Sequence, residues 1–444
     1  MVKPSIADLQ ARQELLARVS SMSREAAQPD YSEFTRVSSL PGYDDLRLQF
    51  QIGATYGIDN PFFRMHEGRA DSRTVIDGKP VLNFSSYDYL GLNGHPEVIA
   101  ASQEAIAHFG VSCGASRHVA GERQIHRELE LALAGLYGVD DCAVFVSGYA
   151  TNLGVIGQML GPKDLMIHDA VMHNSAIMGA ELAGCKRLSF QHNDFDDLDR
   201  ILSRERSQYA RVLIVVEGLY GMDGDIPDLP RLVEIKRKHH AWLMVDEAHA
   251  LGVLGRTGQG IHEHFGIAGT DIDLWMGTLS KSLASCGGYI AASSELILYL
   301  KNTAGVFVFS VGMPPVIATA AATALRVWRR EPERVRALHA NGQRFQDGAR
   351  AAGLDTGTGI GAAICPVVIG DSMKAVILSQ QLLKRGVNVQ PVMYPSVPAK
   401  ASRLRFFVTR THTSEDIDRG LCILREEMAG LGDTMRGMKI PGYS

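Results

Sequence analysis

Two residues stand where a charge would be expensive to keep. The apolar run Trp242–Val245 ends abruptly in Asp246-Glu247-Ala248-His249. A carboxylate at the end of a buried strand is costly to ionise unless something positive meets it. A protonated pyridinium nitrogen is such a partner, and its ring then withdraws electrons from a neighbouring carbanion. The competing assignment is a helix N-cap or turn aspartate. Thirty-five residues after Asp246 comes Lys281, in Gly277-Thr278-Leu279-Ser280-Lys281-Ser282, which follows another apolar run. A lysine among small hydroxyl residues suits imine formation, because the hydroxyls can hold a phosphate while desolvation and nearby positive charge lower the amine pKa. Alone, Lys281 would read as a surface lysine in a Ser-rich turn. Paired with Asp246, it reads as chemistry.

Two further segments belong with them. Ser147-Gly148-Tyr149-Ala150-Thr151-Asn152 lies between the run Cys142–Val146 and a helical stretch. A strand, a Gly turn and a helix start leave free N–H groups pointing outward, which favours an anion. Many α/β turns share that pattern, and neither a Walker sequence nor a Gly-x-Gly-x-x-Gly fingerprint accompanies it. His168-Asp169-Ala170-Val171-Met172-His173-Asn174-Ser175 offers a histidine that could stack on a planar cofactor, or simply a polar turn.

Positioning these groups requires a sheet. Cys142–Val146, Leu165–His168, Val212–Val216, Trp242–Val245 and Asp273–Met276 are short and largely apolar, as strands covered on both faces are. Helical spacing at Glu97–His108 and Gln124–Leu136, and between several of the strands, predicts an α/β fold. Its core is a mostly parallel central sheet sandwiched by helices. Ligands of such sheets collect outside the carboxyl ends of strands, where the four segments fall. The rhythm then changes to a smaller C-terminal α+β domain. It has a charged helix at Pro332–Ala352, short strands near Ile364–Val368, Val387–Val389 and Leu404–Val408, and a last helix over Ser414–Gly430. Ahead of the sheet domain lies an N-terminal extension. It comprises a helix over 5–24 with Ile6, Leu9, Leu16, Val19 and Met22 on one face, assigned to packing on the protein's own body, an irregular stretch over 27–60, and strands around Arg73–Val75 and Pro80–Phe84. The expected divisions are residues 1–95, 96–325 and 326–434, with a loose tail over 435–444.

Composition narrows the function classes. The chain has 444 residues, 45% of them hydrophobic and 21% charged, with a formal net charge of -4. Such a balance gives no reason to expect nucleic acid or an anionic membrane as partner. No apolar run is long enough for a membrane span. The six cysteines, at 113, 142, 185, 286, 365 and 422, have no zinc or redox spacing, and no metal site is expected. Scattered thiols and an acidic N-terminus without an apolar signal core place the protein in the cytoplasm.

The ordered set resembles the α-oxoamine synthase family of fold-type I pyridoxal-phosphate enzymes. The likeness runs from Asn83 to Leu424. It includes Asn83-Phe84-Ser85-Ser86-Tyr87-Asp88-Tyr89-Leu90-Gly91-Leu92, the Ser-Gly-Tyr segment, His192-Asn193-Asp194, the segment from Glu217 through Gly221-Met222 to Asp225, the Asp-Glu-Ala-His and lysine segments, and Met313-Pro314-Pro315. The resemblance implies a pyridoxal 5'-phosphate cofactor linked to Lys281, with Asp246 on the ring nitrogen, His249 on the ring hydroxyl and His173 stacked on the ring. It implies a phosphate cup of Gly148, Tyr149, Thr278 and Ser280, completed by Ser310 from the neighbouring subunit of a homodimer. Arg405 matches the arginine that grips the amino-acid carboxylate, although alone it would read as a surface arginine on a strand. Two positions depart from the common pattern: Gly221 stands where many members have Ser, and Tyr87 where many have Asn. Tyrosine there is similar to the serine palmitoyltransferase branch and borders the substrate, but one position does not set a substrate.

The implied reaction joins an amino acid to an acyl thioester, carried on coenzyme A or on an acyl carrier protein, and expels carbon dioxide. Transamination on the same scaffold would share Lys281 and Asp246. The amino acid and the acyl chain stay open. The basic stretches Lys236–Lys238 and Arg329–Arg336 are assigned to solvated helix faces rather than to an acidic carrier protein.

Overall fold

The structure, a computed structural model, describes residues 6–22, 31–69 and 71–438. They fall into two units, Met1–Asn60 and Pro61–Ser444. The first unit contains the expected helix, at Ile6–Met22, with Leu16 and Val19 exposed. The side chains of Ile6, Leu9 and Met22 lie outside the described residues. The stretch expected to be irregular holds a 14-residue helix, Tyr43–Tyr56. Asp44 and Asp45 occupy its first turn, where carboxylates favour the helix dipole, and Gly57 closes it at φ 65°.

In the second unit, strands β1 (His66–Glu67), β2 (Arg73–Ile76) and β3 (Lys79–Asn83) form a small antiparallel set. The large sheet follows with β4 (Asp141–Phe145), β5 (Leu165–Asp169), β6 (Lys186–Phe190), β7 (Val212–Glu217), β8 (Trp242–Asp246), β9 (Leu274–Thr278) and β10 (Gly288–Ala292). Its order is β4-β10-β9-β8-β7-β5-β6, parallel except that β10 runs antiparallel to both neighbours. The five expected strands are there. Two were not anticipated: β6 is an edge strand with only Phe190 buried, and β10, Gly-Tyr-Ile-Ala-Ala, is fully buried with one β-branched residue. All six residues of β7 are buried, and each large apolar side chain so placed stabilises the fold by about 1.5–3 kcal/mol. The register pairs Glu217 with Asp246, so β7 and β8 end level, with Asp169 and Thr278 ending β5 and β9.

The C-terminal strands are β11 (Ile364–Gly370), β12 (Val387–Asn388), β13 (Gln390–Val392) and β14 (Ser402–Phe407). β11, β14 and β13 form an antiparallel sheet, whereas β12 pairs in parallel with β3. Leu82 and Phe84 therefore share a core with Phe345, Leu378 and Phe406. The charged helix spans Glu333–Ala351 with Pro332 at its N-cap, one residue before the helical position expected of it. A helix at Ser372–Lys384 was not anticipated. The last helix, Ser414–Gly437, runs past the stop expected near Gly430, and the expectation of a loose tail from Met435 is corrected because Met435 is buried within it. Residues 439–444 lie outside the described residues.

Within the basic stretches, Lys236, Arg237 and Lys238 pair with Asp273, Asp271 and Asp199, and Arg330 and Arg334 pair with Glu331. All six cysteines are unpaired. No described helix is long and apolar enough to cross a membrane.

Candidate active site

Asp246 ends β8 and is buried. Its Oδ2 accepts from Asn152 Nδ2 at 2.9 Å, and its Oδ1 from the Ala248 N–H at 2.9 Å. On the adjacent strand Thr278 ends β9, and the chain then turns through Ser280 to Lys281. Burial of the Lys281 amine pushes its pKa down to about 8, against the upward pull of Asp246 and Glu217. Its Nζ lies 5.8 Å from the centre of the Tyr87 ring. Tyr87 in turn meets Phe407 edge-on at 4.6 Å.

The Ser-Gly-Tyr segment opens the helix Gly148–Met159, and Ser147 caps it by accepting the Ala150 N–H. A Cβ on Gly148 would approach Thr278 Oγ1 to 2.9 Å, and one on Gly288 would approach the Gly148 Cα to 2.7 Å. The missing side chains let the helix start settle beside β9 and β10. Thr278 Oγ1 donates to the Gly287 carbonyl and lies 2.8 Å from Ser280 Oγ. Free helix N–H groups and two hydroxyls thus share one corner, a setting for phosphate. Tyr149 is exposed, and its hydroxyl donates to Asn174 Oδ1 at 3.0 Å.

His173 caps the helix Asn174–Ala183. Its backbone N–H donates to Glu217 Oε1 at 3.0 Å, and its ring Nδ1 lies 2.7 Å from Ser175 Oγ. Partial burial lowers its pKa. Glu217 is buried, which pushes its carboxyl up to about 8, and Asp246 adds to the rise. His249 Nδ1 is 2.7 Å from the hydroxyl of fully buried Tyr89, and burial, with Lys281 and Arg405 nearby, drives its pKa well down. A Cβ on Gly221 would fall 2.8 Å from His249 Nε2. A side chain at this position would require the imidazole to shift.

Arg403 and Arg405 point from the same face of β14 but differ in commitment. Arg403 is buried, ion-paired with Asp223 and bonded to the Met222 and Ala401 carbonyls. Arg405 donates through Nη1 to the Gly221 carbonyl at 2.8 Å and lies 4.7 Å over Phe407. Its Nε is buried without a partner, and no described hydrogen bond uses Nη2. The loop they grip is anchored again by His192, which bridges Asp169 (2.9 Å) and Asp225 (3.0 Å). Those carboxylates overcome its burial and hold its pKa up at about 10.

One chain therefore gathers Lys281, Asp246, His173, His249, Gly148, Tyr149, Thr278, Ser280, Tyr87 and Arg405 around the strand ends. Ser310 stands apart, its hydroxyl donating to the Val311 carbonyl at 3.3 Å. The sequence reading gave no role to Asn152, Ser175, Glu217 or Tyr89, although all four lie within segments it singled out.

This set fits pyridoxal phosphate on physical grounds: a cradle that a Cβ would fill, a buried carboxylate for the ring nitrogen and a lysine of lowered pKa. The sequence model of the aminotransferase class I and II family matches residues 79–424. An 8-amino-7-oxononanoate synthase of Symbiobacterium thermophilum is 40% identical over 81% of this chain and 91% of its own. That of Thermoanaerobacter pseudethanolicus is 39% identical over 80% and 89%. Among solved structures, serine palmitoyltransferase from S. paucimobilis superposes with a TM-score of 0.86 at 31% identity, over 90% of this chain and all of that one. The chain belongs to the α-oxoamine synthase family. It is a fold-type I, pyridoxal-phosphate-dependent acyltransferase that condenses an amino acid with an acyl thioester and releases carbon dioxide. Nothing favours transamination.

Proposed function

We propose that the amino acid is held by its carboxylate on the open edge of Arg405, with its Cα beside Lys281. The observation that carries this is the Arg405 guanidinium. Nη1 is engaged by Gly221, while the Nε–Nη2 edge keeps a buried, partnerless donor. Buried donors in folded proteins find partners, and a carboxylate fits that edge bidentately. When bound, pyridoxal phosphate supplies a ring that spreads negative charge from the substrate Cα. Lys281 takes the Cα proton and later returns one. Asp246 would keep a proton on the ring nitrogen, and His249 would bond the ring hydroxyl without the serine that many family members add at position 221. His173 covers the ring, and Gly148, Tyr149, Thr278 and Ser280 hold the phosphate. Tyr87 borders the amino-acid site.

Arg405→Lys keeps the charge and loses the fork. Amino-acid binding, followed by spectral titration, should weaken by about 1.5–3 kcal/mol, or roughly ten- to a hundredfold. The resting spectrum of the bound cofactor should not change. Amino-acid amides should bind both proteins alike. Undiminished amino-acid binding would refute the assignment, and Arg403, committed to Asp223, is not a ready substitute.

The same reading makes a homodimer the working unit, with Ser310 reaching the partner's phosphate site. Ser310 is flanked by Phe309 and Val311, and Phe309 is 88% exposed in the single chain, which supports an interface there. Light scattering beside an assay should find activity and tight cofactor binding only in dimer. An active monomer at dilution would contradict the shared site.

A further inference from the structure

The buried hydrogen bonds between Asp246 and His173 have one set of directions that satisfies every donor. Asn152 is 1% exposed, and its Nδ2 lies 2.9 Å from both Asp246 Oδ2 and Ser175 Oγ. A carboxylate only accepts, so the amide turns its NH2 to Asp246. The second hydrogen of that NH2 goes to Ser175 Oγ. The Ser175 hydroxyl, also 1% exposed, has one proton left, and His173 Nδ1 sits 2.7 Å away to accept it. The Ser175 N–H approaches the same Nδ1 at 3.3 Å. A proton on Nδ1 would oppose the Ser175 N–H and leave the Ser175 hydroxyl proton without an acceptor.

We propose that Asn152 and Ser175 are positioning residues that relay the carboxylate of Asp246 to His173, fixing the imidazole as its Nε2–H tautomer. This rests on His173 belonging to the active site. Nε2 makes no hydrogen bond among the described residues, so this tautomer leaves one donor for a substrate oxygen, whether of the amino-acid carboxylate or of the thioester carbonyl. The opposite tautomer would present a lone pair there and repel that oxygen. Lowering of the His173 pKa by burial keeps the ring neutral, the state in which a tautomer matters. The relay also couples Asp246 to His173, because any change in charge at Asp246 alters the amide that orders Ser175.

Solid-state NMR of the holoenzyme labelled with 15N-histidine at pH 8 reads the tautomer directly, and the His173 signal is the one missing from His173→Phe. The wild type should show His173 protonated at Nε2 alone. Ser175→Ala should shift the tautomer ratio toward Nδ1–H by roughly five- to tenfold, the worth of one hydrogen bond. A wild-type signal protonated at Nδ1 would overturn the relay, as would a tautomer unmoved in Ser175→Ala. Should Ser175→Ala not fold, the wild-type spectrum still decides. The measurement needs no substrate, so a failure of the relay would be distinct from a failure of the active-site assignment, which His173→Phe reports through turnover.

Discussion

Lys281→Ala should lower turnover by roughly four orders of magnitude or more, the largest effect expected of any single change. A positioned general base contributes about 10²–10⁴-fold, and the covalent hold on the cofactor is lost with it. Among the described residues, the other cation acting on Lys281 is Arg405, a guanidinium rather than an amine. The amine also predicts a pH dependence. With a pKa of about 8, only its deprotonated form captures the cofactor, so capture by the apoenzyme should rise roughly tenfold from pH 7 to pH 9 and then level off. A lysine at its ordinary value would rise roughly a hundredfold over that interval without levelling. Stopped-flow absorbance after adding pyridoxal phosphate separates the two.

Asp246→Asn should cost about a thousandfold in turnover while leaving the protein folded. Removing one member of a buried charge pair is worth about 3–5 kcal/mol, which transition-state arithmetic converts to that loss. The local structure adds a second penalty. Both carboxylate oxygens of Asp246 accept, one from Asn152 and one from Ala248. An asparagine turns one of these contacts into donor against donor. Asn152 could flip and offer its partnerless Oδ1, but it would then give up its bond to Ser175. Steady-state turnover, measured beside cofactor content and circular dichroism, checks the expectation. Near-normal turnover would mean that another group keeps the ring nitrogen protonated.

Asp246 and Lys281 were legible in the sequence because each follows an apolar run, where burial makes a charge conspicuous. The buried strands β4, β5, β7, β8 and β9 were legible for the same reason. Arg405 was not legible by itself, since an arginine on a short strand has an exposed reading. Only the family resemblance lifted it and chose it over Arg403; the geometry adds the physical reason, because Arg403 is committed to Asp223. Asn152, Ser175 and Glu217 left no signal because their bonds join distant segments; Asn152 and Asp246 are 94 positions apart. β10 escaped because glycine and alanine carry little strand preference, and β6 because an edge strand faces water. The pairing of β12 with β3 joins Val387 to Leu82, a contact that no local pattern encodes. The early Leu82–Phe84 stretch thus shares its core with the C-terminal strands.

The central claim is that the cofactor is linked to Lys281, and borohydride reduction tests it most directly. Purified holoenzyme should be yellow, borohydride should bleach that colour, and peptide mass spectrometry should place the reduced adduct on Lys281. An adduct on any other lysine, or none at all in protein that retains cofactor, would contradict the account.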